Sequence, residues 1–229
     1  IFSDSTTYSV VTDIGEKALS TIINAQVEFD GFTTSHATFA DAWEYATSED
    51  TSETSRTTVK LLADVTAVGH SFNITVDGTS YAYIIVASGD YITLDLNSFT
   101  IDRGLTEATA NGYVIYIAQN GELILADSSV NSDGNITGGY NSGDGGGVRV
   151  YGTFTMSGGA ISDNTATNYG GGVYTEENGS FVMDGGSISG NTASESGGGV
   201  YIDDGEFTIN DGEISENTAA ESGGGVFAN

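Results

Sequence analysis

The chain has 229 residues, with 32 acidic against 5 basic side chains, a net charge of −27, and neither Cys nor Pro. So acidic a surface cannot neutralise a nucleic-acid backbone, is repelled by an anionic bilayer, and without Cys it has neither disulfide staples nor thiolate metal sites. It contains no run of 18 apolar residues, so no helix is expected to insert in a membrane.

The chain begins at Ile1, which predicts a processed or trimmed chain from which a leader could have been removed. Residues 1–35 contain two short strand patterns, Tyr8–Val11 and Ala25–Phe29, the second closing on Asp30-Gly31. Their place in the fold is open. Residues 36–57 read as a helical cap and linker. Phe39, Ala42, Trp43 and Ala46 fall at i, i+3, i+4 and i+7 and make one apolar stripe. Thr38 with Asp41 resembles a capping box that starts the helix. An amphipathic helix at this point predicts a lid over the open first coil of a strand-built solenoid. A polar linker runs from Asp50 to Ser55.

Residues 58–229 read as strands throughout. Val59–Ala63, Ser71–Val76, Ala82–Val86, Tyr91–Leu96, Tyr113–Ala118 and Glu122–Leu125 alternate or run apolar. Two long coils fit here, 30 residues from Ile84 to Val114 and 34 from Val114 to Val148. Their surplus length is expected to bulge as loops at 102–112 and 127–144, where function commonly resides.

From residue 145 the pattern becomes strict. Gly145-Gly146-Gly147-Val148 returns at Val173, Val200 and Val226, in steps of 25, 27 and 26 residues. A fixed period in that range marks a solenoid. Each unit has three short apolar alternations separated by Gly and Asp turns, which suits one coil of a parallel β-helix with coils ~4.8 Å apart. The predicted inward ladders are Val148, Val173, Val200 and Val226 on the first wall; Phe154, Phe181 and Phe207, then Met156, Met183 and Ile209, on the second; and Ile161, Ile188 and Ile214 on the third. Asn164, Asn191 and Asn217 follow each third-wall Ile by three residues. Their recurrence in every coil favours a structural Asn ladder over a ligand site. If Val148 and Val150 point inward, Arg149 points outward, and the same outward position holds Tyr116, Tyr174, Tyr201 and Phe227. These residues form either a stack that stiffens one sheet or a strip for a ligand or partner. Phe207, Ile209, Ile214 and Val226 lie in the last coils with nothing after Asn229 to cover them. The expectation is that the natural chain continues, or that this end associates head to tail with another copy.

The runs Ile161-Ser162-Asp163-Asn164-Thr165-Ala166 with Gly170-Gly171-Gly172-Val173-Tyr174, and Ile188-Ser189-Gly190-Asn191-Thr192-Ala193 with Gly197-Gly198-Gly199-Val200-Tyr201, resemble adhesin-like surface proteins of gut bacteria and methanogenic archaea with pectin-lyase-like repeats. They also resemble the GGAI and FxxN repeats of chlamydial polymorphic outer-membrane proteins, with Ile in place of Phe. Thr58–Val65 and Ile92–Asn97 look like the opening coils of the same adhesin-like group. The resemblance covers roughly residues 36–229. It implies an all-β, right-handed parallel β-helix, extracellular display at the cell surface and attachment to a glycan or to a protein of a host or neighbouring cell.

Composition argues against chemistry. Arg149 is the one basic residue of the repeats, whereas a uronate lyase needs clustered carboxylates for Ca²⁺ and a Lys or Arg to take the proton. The repeats read Asn-Thr-Ala, so the Asn-Thr-Asp of pectin hydrolases is missing. His36 and His70 show no metal-ligand spacing. The acidic turns Glu176-Glu177, Asp203-Asp204 and Glu206 suit at most loosely held Ca²⁺, and no cofactor is expected. The leading reading is a non-catalytic surface adhesin or stalk segment. Two alternatives stay open: a polysaccharide-active lyase or hydrolase with its site in the 102–112 and 127–144 loops, and a structural subunit assembling end to end into a fibre.

Overall fold

A computed structural model describes residues 24–49, 51–67, 69 and 71–229. The strand pattern Tyr8–Val11 and His70 lie outside the described residues. From Thr57 the chain winds as a right-handed parallel β-helix of about five turns. The first wall stacks Ile84–Val86, Ile115–Ile117, Val148–Val150, Val173–Thr175, Val200–Ile202 and Val226–Ala228. The second stacks Thr57–Leu61, Tyr91–Asp95, Glu122–Ala126 and Thr153–Met156, and the third Val65–Thr66, Thr100–Asp102, Asn135–Thr137 and Ala160–Ser162. In the last two coils, Ser180–Ser189 and Glu206–Ser215 run through both walls. A narrow fourth sheet of two-residue strands, from Tyr140–Asn141 to Thr218–Ala219, comes after the third wall.

The predicted ladders are in register. Val148 pairs with Val173, Val173 with Val200 and Val200 with Val226. Phe154, Phe181 and Phe207 stack with ring centroids 5.0 and 5.1 Å apart. Ile161, Ile188 and Ile214 align on the third wall. Burying each such side chain contributes roughly 1.5–3 kcal/mol, and only stacking achieves it. One register differs from expectation. Ile115, not Val114, pairs with both Ile84 and Val148; both side chains are fully buried, so hydrophobicity does not tell them apart. In the final coil Ile209 is 51% and Val226 38% exposed, whereas Met183 and Val200 one coil earlier are sealed.

The Asn column is a ladder with a direction. The backbone N–H of Asn164 donates to Oδ1 of Asn191 (3.0 Å), and that of Asn191 to Oδ1 of Asn217 (2.9 Å). Each Nδ2 then donates to a carbonyl of the preceding coil: Ile136, Ile161 and Ile188 in turn. The triple glycine is the other half of the same corner. The first glycine has a left-handed backbone (φ 64 at Gly170). A Cβ on the second, Gly171, would sit 2.5 Å from the carbonyl oxygens of Gly198 and Thr192. A Cβ on the third, Gly172, would sit 2.9 Å from Asn191 Nδ2. Asn and Gly recur together because each occupies the space the other leaves.

The N-terminal end is covered. Helix α1, Phe39–Ser48, buries Phe39, Ala42, Trp43 and Ala46. Thr38 Oγ1 accepts from Asp41 N (3.1 Å), and Trp43 Nε1 donates to the Ile85 carbonyl (2.8 Å). The lid is broader than the helix. Ala25–Phe29 and Phe32–His36 form an antiparallel hairpin whose first strand pairs with Thr57–Leu61, so residues 24–36 extend the second wall. Ser71–Val76 is not a coil strand as expected: Ile74–Val76 pairs antiparallel with Thr79–Tyr81 around Asp77-Gly78. This hairpin packs under α1, with Thr75 N donating to Glu44 Oε1 (2.7 Å).

Candidate functional site: the aromatic first wall

Because side chains alternate across a strand, each central residue of the first wall points away from the core. Tyr116, Arg149, Tyr174, Tyr201 and Phe227 are aligned by direct strand pairing. Tyr174 stacks on Tyr201 (5.4 Å) and Tyr201 on Phe227 (5.1 Å). Arg149 lies over the rings of Tyr151 (5.5 Å) and Tyr174 (5.6 Å), a cation–π bridge. It also pairs with Glu176 and, at 3.6 Å, with Asp144.

The row is longer than the spacing of the regular repeats implies. Tyr151 meets Tyr116 (5.4 Å), Tyr116 meets Tyr113 (5.5 Å), Tyr113 meets Tyr83 (4.7 Å) and Tyr83 meets Tyr81 (5.5 Å). Tyr169 leans on Tyr201 (4.5 Å). Rings therefore run without a break from Tyr81 to Phe227, with Arg149 as one link. Sequence reading missed Tyr81, Tyr83, Tyr113, Tyr151 and Tyr169, which lie at strand ends or on turns rather than at the repeated position. The signal that could have found them was composition: 12 tyrosines in the chain.

The expectation that Tyr174 and Tyr201 stand exposed is overturned. They are only 5% and 7% exposed. Neighbouring rings, Arg149 and Tyr169 cover them, and the Tyr174 hydroxyl donates to Asp203 Oδ2 (2.9 Å). Replacing either with Ser removes packing and would cost on the order of 2–3 kcal/mol. Tyr116, Arg149, Tyr151, Tyr169 and Phe227 are half-buried and present the solvent side of the row.

The electrostatics suit contact more than proton transfer. Burial pushes the Tyr116, Tyr174 and Tyr201 hydroxyls upward, and burial with a bond to Glu176 takes Tyr151 to about 12. These hydroxyls stay protonated at neutral pH. Burial opposes the charge on Arg149, but its bond to Glu176 outweighs that and holds its pKa above the ordinary value. Burial lifts the Asp144 carboxyl, with Arg149 opposing. Two carboxylates of the acidic turns, Glu176 and Asp203, are engaged as acceptors, from Arg149 and Tyr174 respectively.

The 127–144 segment does not bulge as one loop as expected, since it contains the strands Asn135–Thr137 and Tyr140–Asn141, which join the stacked sheets. In the 102–112 and 127–144 segments Asp102 and Asp127 use their carboxylates on backbone. Asp102 Oδ1 accepts from Gly104 N (2.7 Å). Asp127 accepts from the N–H groups of Ser98 (3.0 Å), Ser129 (3.0 Å) and Gly134 (2.7 Å). Arg103, unnoticed in the sequence, is only 2% exposed and donates to the carbonyls of Asn111 and Tyr113. Burial lowers its pKa to about 10. His36 Nε2 bonds Thr34 Oγ1 (2.9 Å) and its ring packs on Tyr45 (5.2 Å). Among the described residues no three His, Asp or Glu side chains converge on one point that could hold a metal ion, and no helix is long and apolar enough to cross a membrane. Compared with known proteins, the chain matches no family model, no curated protein and no solved structure.

Proposed function

We propose that the protein is a non-catalytic segment of an extracellular surface protein, a stiff rod whose first wall attaches to a glycan or protein on a neighbouring surface. The observation that carries this reading is the row of rings from Tyr81 to Phe227, bridged at Arg149, on a chain whose surface is otherwise strongly acidic. The half-buried rings of that row, Tyr116, Tyr151, Tyr169 and Phe227, put aromatic surface on an acidic background, which suits contact with a partner. Three loop carboxylates support the non-catalytic part, because Asp102 and Asp127 are occupied in fixing backbone and Asp144 pairs with Arg149. The resemblance to adhesin-like β-helices points the same way. Beads carrying the purified chain, laid over mucin-coated and cell-coated surfaces, test it. Attachment well above that of bare beads is expected, and it should fall about tenfold, worth ~1.4 kcal/mol, when half-buried Tyr116, Tyr169 and Phe227 are changed to Ser. Beads that attach no better than bare ones overturn the reading.

A further inference from the structure

The 25-residue step between Val148 and Val173 is the shortest of the three, and the structure shows where the residues are missing. Six positions separate Val148 from Phe154, whereas eight separate Ile115 from Leu123 and Val173 from Phe181. The deficit falls in the turn from first to second wall. That turn has four residues before and after, 118–121 and 176–179, but only Tyr151-Gly152 between them. Gly152 lets this short turn sink onto the coil below: a Cβ there would collide with the Gly121 carbonyl oxygen. The result is a groove of about 390 Å³ cut across the corner of the rod.

Tyr151 and Thr153 lie on its floor, Gln119 and Asn120 on one rim and Asn178 on the other. Asn120 and Asn178 occupy left-handed turn positions (φ 62 and 66), which an Asn adopts readily. Glu122 also lines the groove, its charge balanced by Arg56, which stacks over Tyr91 at 5.4 Å. We propose that this groove binds a neutral oligosaccharide seated in the notch between the two rims, across the rod axis. Tyr151, packed by Arg149 and Tyr116, offers the part of its ring that stays exposed to a sugar ring. The primary amides each offer a donor and an acceptor to vicinal hydroxyls, and Thr153 and Glu122 add further polar partners. The two rims belong to coils two steps of ~4.8 Å apart, so a sugar in the notch meets Asn120 on one side and Asn178 on the other. The net charge of −27 disfavours a polyanionic glycan, and the amide and hydroxyl lining disfavours an apolar ligand. This deepens the attachment reading and rests on it, but has its own test.

The test is calorimetric titration of the intact chain with short neutral oligosaccharides of glucose, galactose, mannose and N-acetylglucosamine, and with oligogalacturonate as the acidic counterpart. At least one neutral series should bind with a Kd below about 1 mM, and the acidic one should not. The decisive variant inserts Glu-Asn between Tyr151 and Gly152. It gives this turn the length of 176–179, leaves the circular dichroism unchanged and fills the notch, so binding should fall at least about tenfold. The pair Asn120→Asp and Asn178→Asp, tolerated at positive φ, removes the amide donors and should weaken binding similarly. Preference for the acidic glycan, absence of neutral binding below about 1 mM, or equal binding by the folded insertion variant each overturns the proposal. Beads that still attach through the insertion variant overturn the groove and leave the attachment reading standing. Groove binding by a chain whose beads attach to nothing does the reverse.

Discussion

The coils before residue 145 and those after it fasten their turns in different ways. In the later coils one device is repeated: an Asn bonds the Asn of the next coil and a carbonyl of the one before, with glycines making room. In the earlier coils Gly139 stands where that Asn would be and only receives the end of the ladder, donating its N–H to Asn164 (3.0 Å). There each turn has its own fastener. Asp127 gathers three N–H groups, Asp95 accepts from Asn97 N (3.1 Å) and Ser128 N (2.9 Å), and Arg103 holds two carbonyls. Repetition yields a corner whose stability is shared along a column. Individual fasteners yield corners that can vary in length, and the long loops are found beside them.

Breaking the column should have the largest effect. Asn191→Ala removes the acceptor of the buried Asn164 backbone N–H, takes one of three acceptors from Asn164 Nδ2 and takes the amide donor from the Ile161 carbonyl. An orphaned buried group costs roughly 1–3 kcal/mol and each further lost hydrogen bond about 1 kcal/mol, so urea unfolding should show a loss of about 3–4 kcal/mol. Hydrogen exchange should show protection falling on both sides, at Asn164 and at Thr218. A loss confined to one coil would mean that the column does not share its stability.

Asp127→Ala should cost less, about 2–3 kcal/mol, with faster exchange limited to Ser98, Ser129 and Gly134. Burial would raise this carboxyl, but its hydrogen bonds from Ser129, Gly134 and Ser98 outweigh burial and hold it below the ordinary value. Its contribution is therefore present at neutral pH and lost as pH falls below about 4. Exchange at those three amides, followed against pH in the parent chain, should accelerate only in that acid range.

The regular coils are legible because every position is read several times over. The Val, Phe and Ile ladders and the Asn column survive any single ambiguous residue. The lid helix is legible from its stripe, with Trp43 at its centre. The Ile74–Tyr81 hairpin could have been found from Asp77-Gly78, a dipeptide suited to a two-residue hairpin turn. Its flanking residues read equally well as a coil strand, because alternation does not record whether a strand pairs parallel or antiparallel. Register at Val114 and Ile115 was illegible for the same kind of reason, since both are sealed from solvent. Of the aromatic face, only the repeated position is visible in sequence. The cover over Tyr174 and Tyr201 comes from Tyr169 and from a neighbouring coil's Arg149, and no local pattern records that.

The smallest effect tests a fastener under strain. Burial raises the Asp90 carboxyl to about 6, with its bond from Ala87 N opposing. A carboxyl lifted in the folded state is a penalty above its folded pKa, and the penalty disappears as pH falls from about 6 to 4. Asp90→Asn should therefore stabilise the chain at pH 7 by no more than about 1 kcal/mol after solvent screening. It should also flatten the gain in melting temperature between pH 6 and pH 4. An unchanged slope would mean that Asp90 titrates as an ordinary surface acid.

The direction of the Asn ladder has a consequence for descent. Each coil offers upward what the coil below offered to it: a backbone N–H and an amide that seek the next Asn oxygen. Two genes misaligned by one repeat and recombined within the glycine codons would encode a rod one coil longer or shorter, every internal bond still satisfied. The length of such a rod is thus open to inheritance in whole steps of ~4.8 Å, while its cross-section stays under strict selection. The loops at 103–113 and 127–134 lie on coils without the ladder, where change is gradual and by single residues. A lineage can therefore adjust how far this protein reaches without altering what its early coils present.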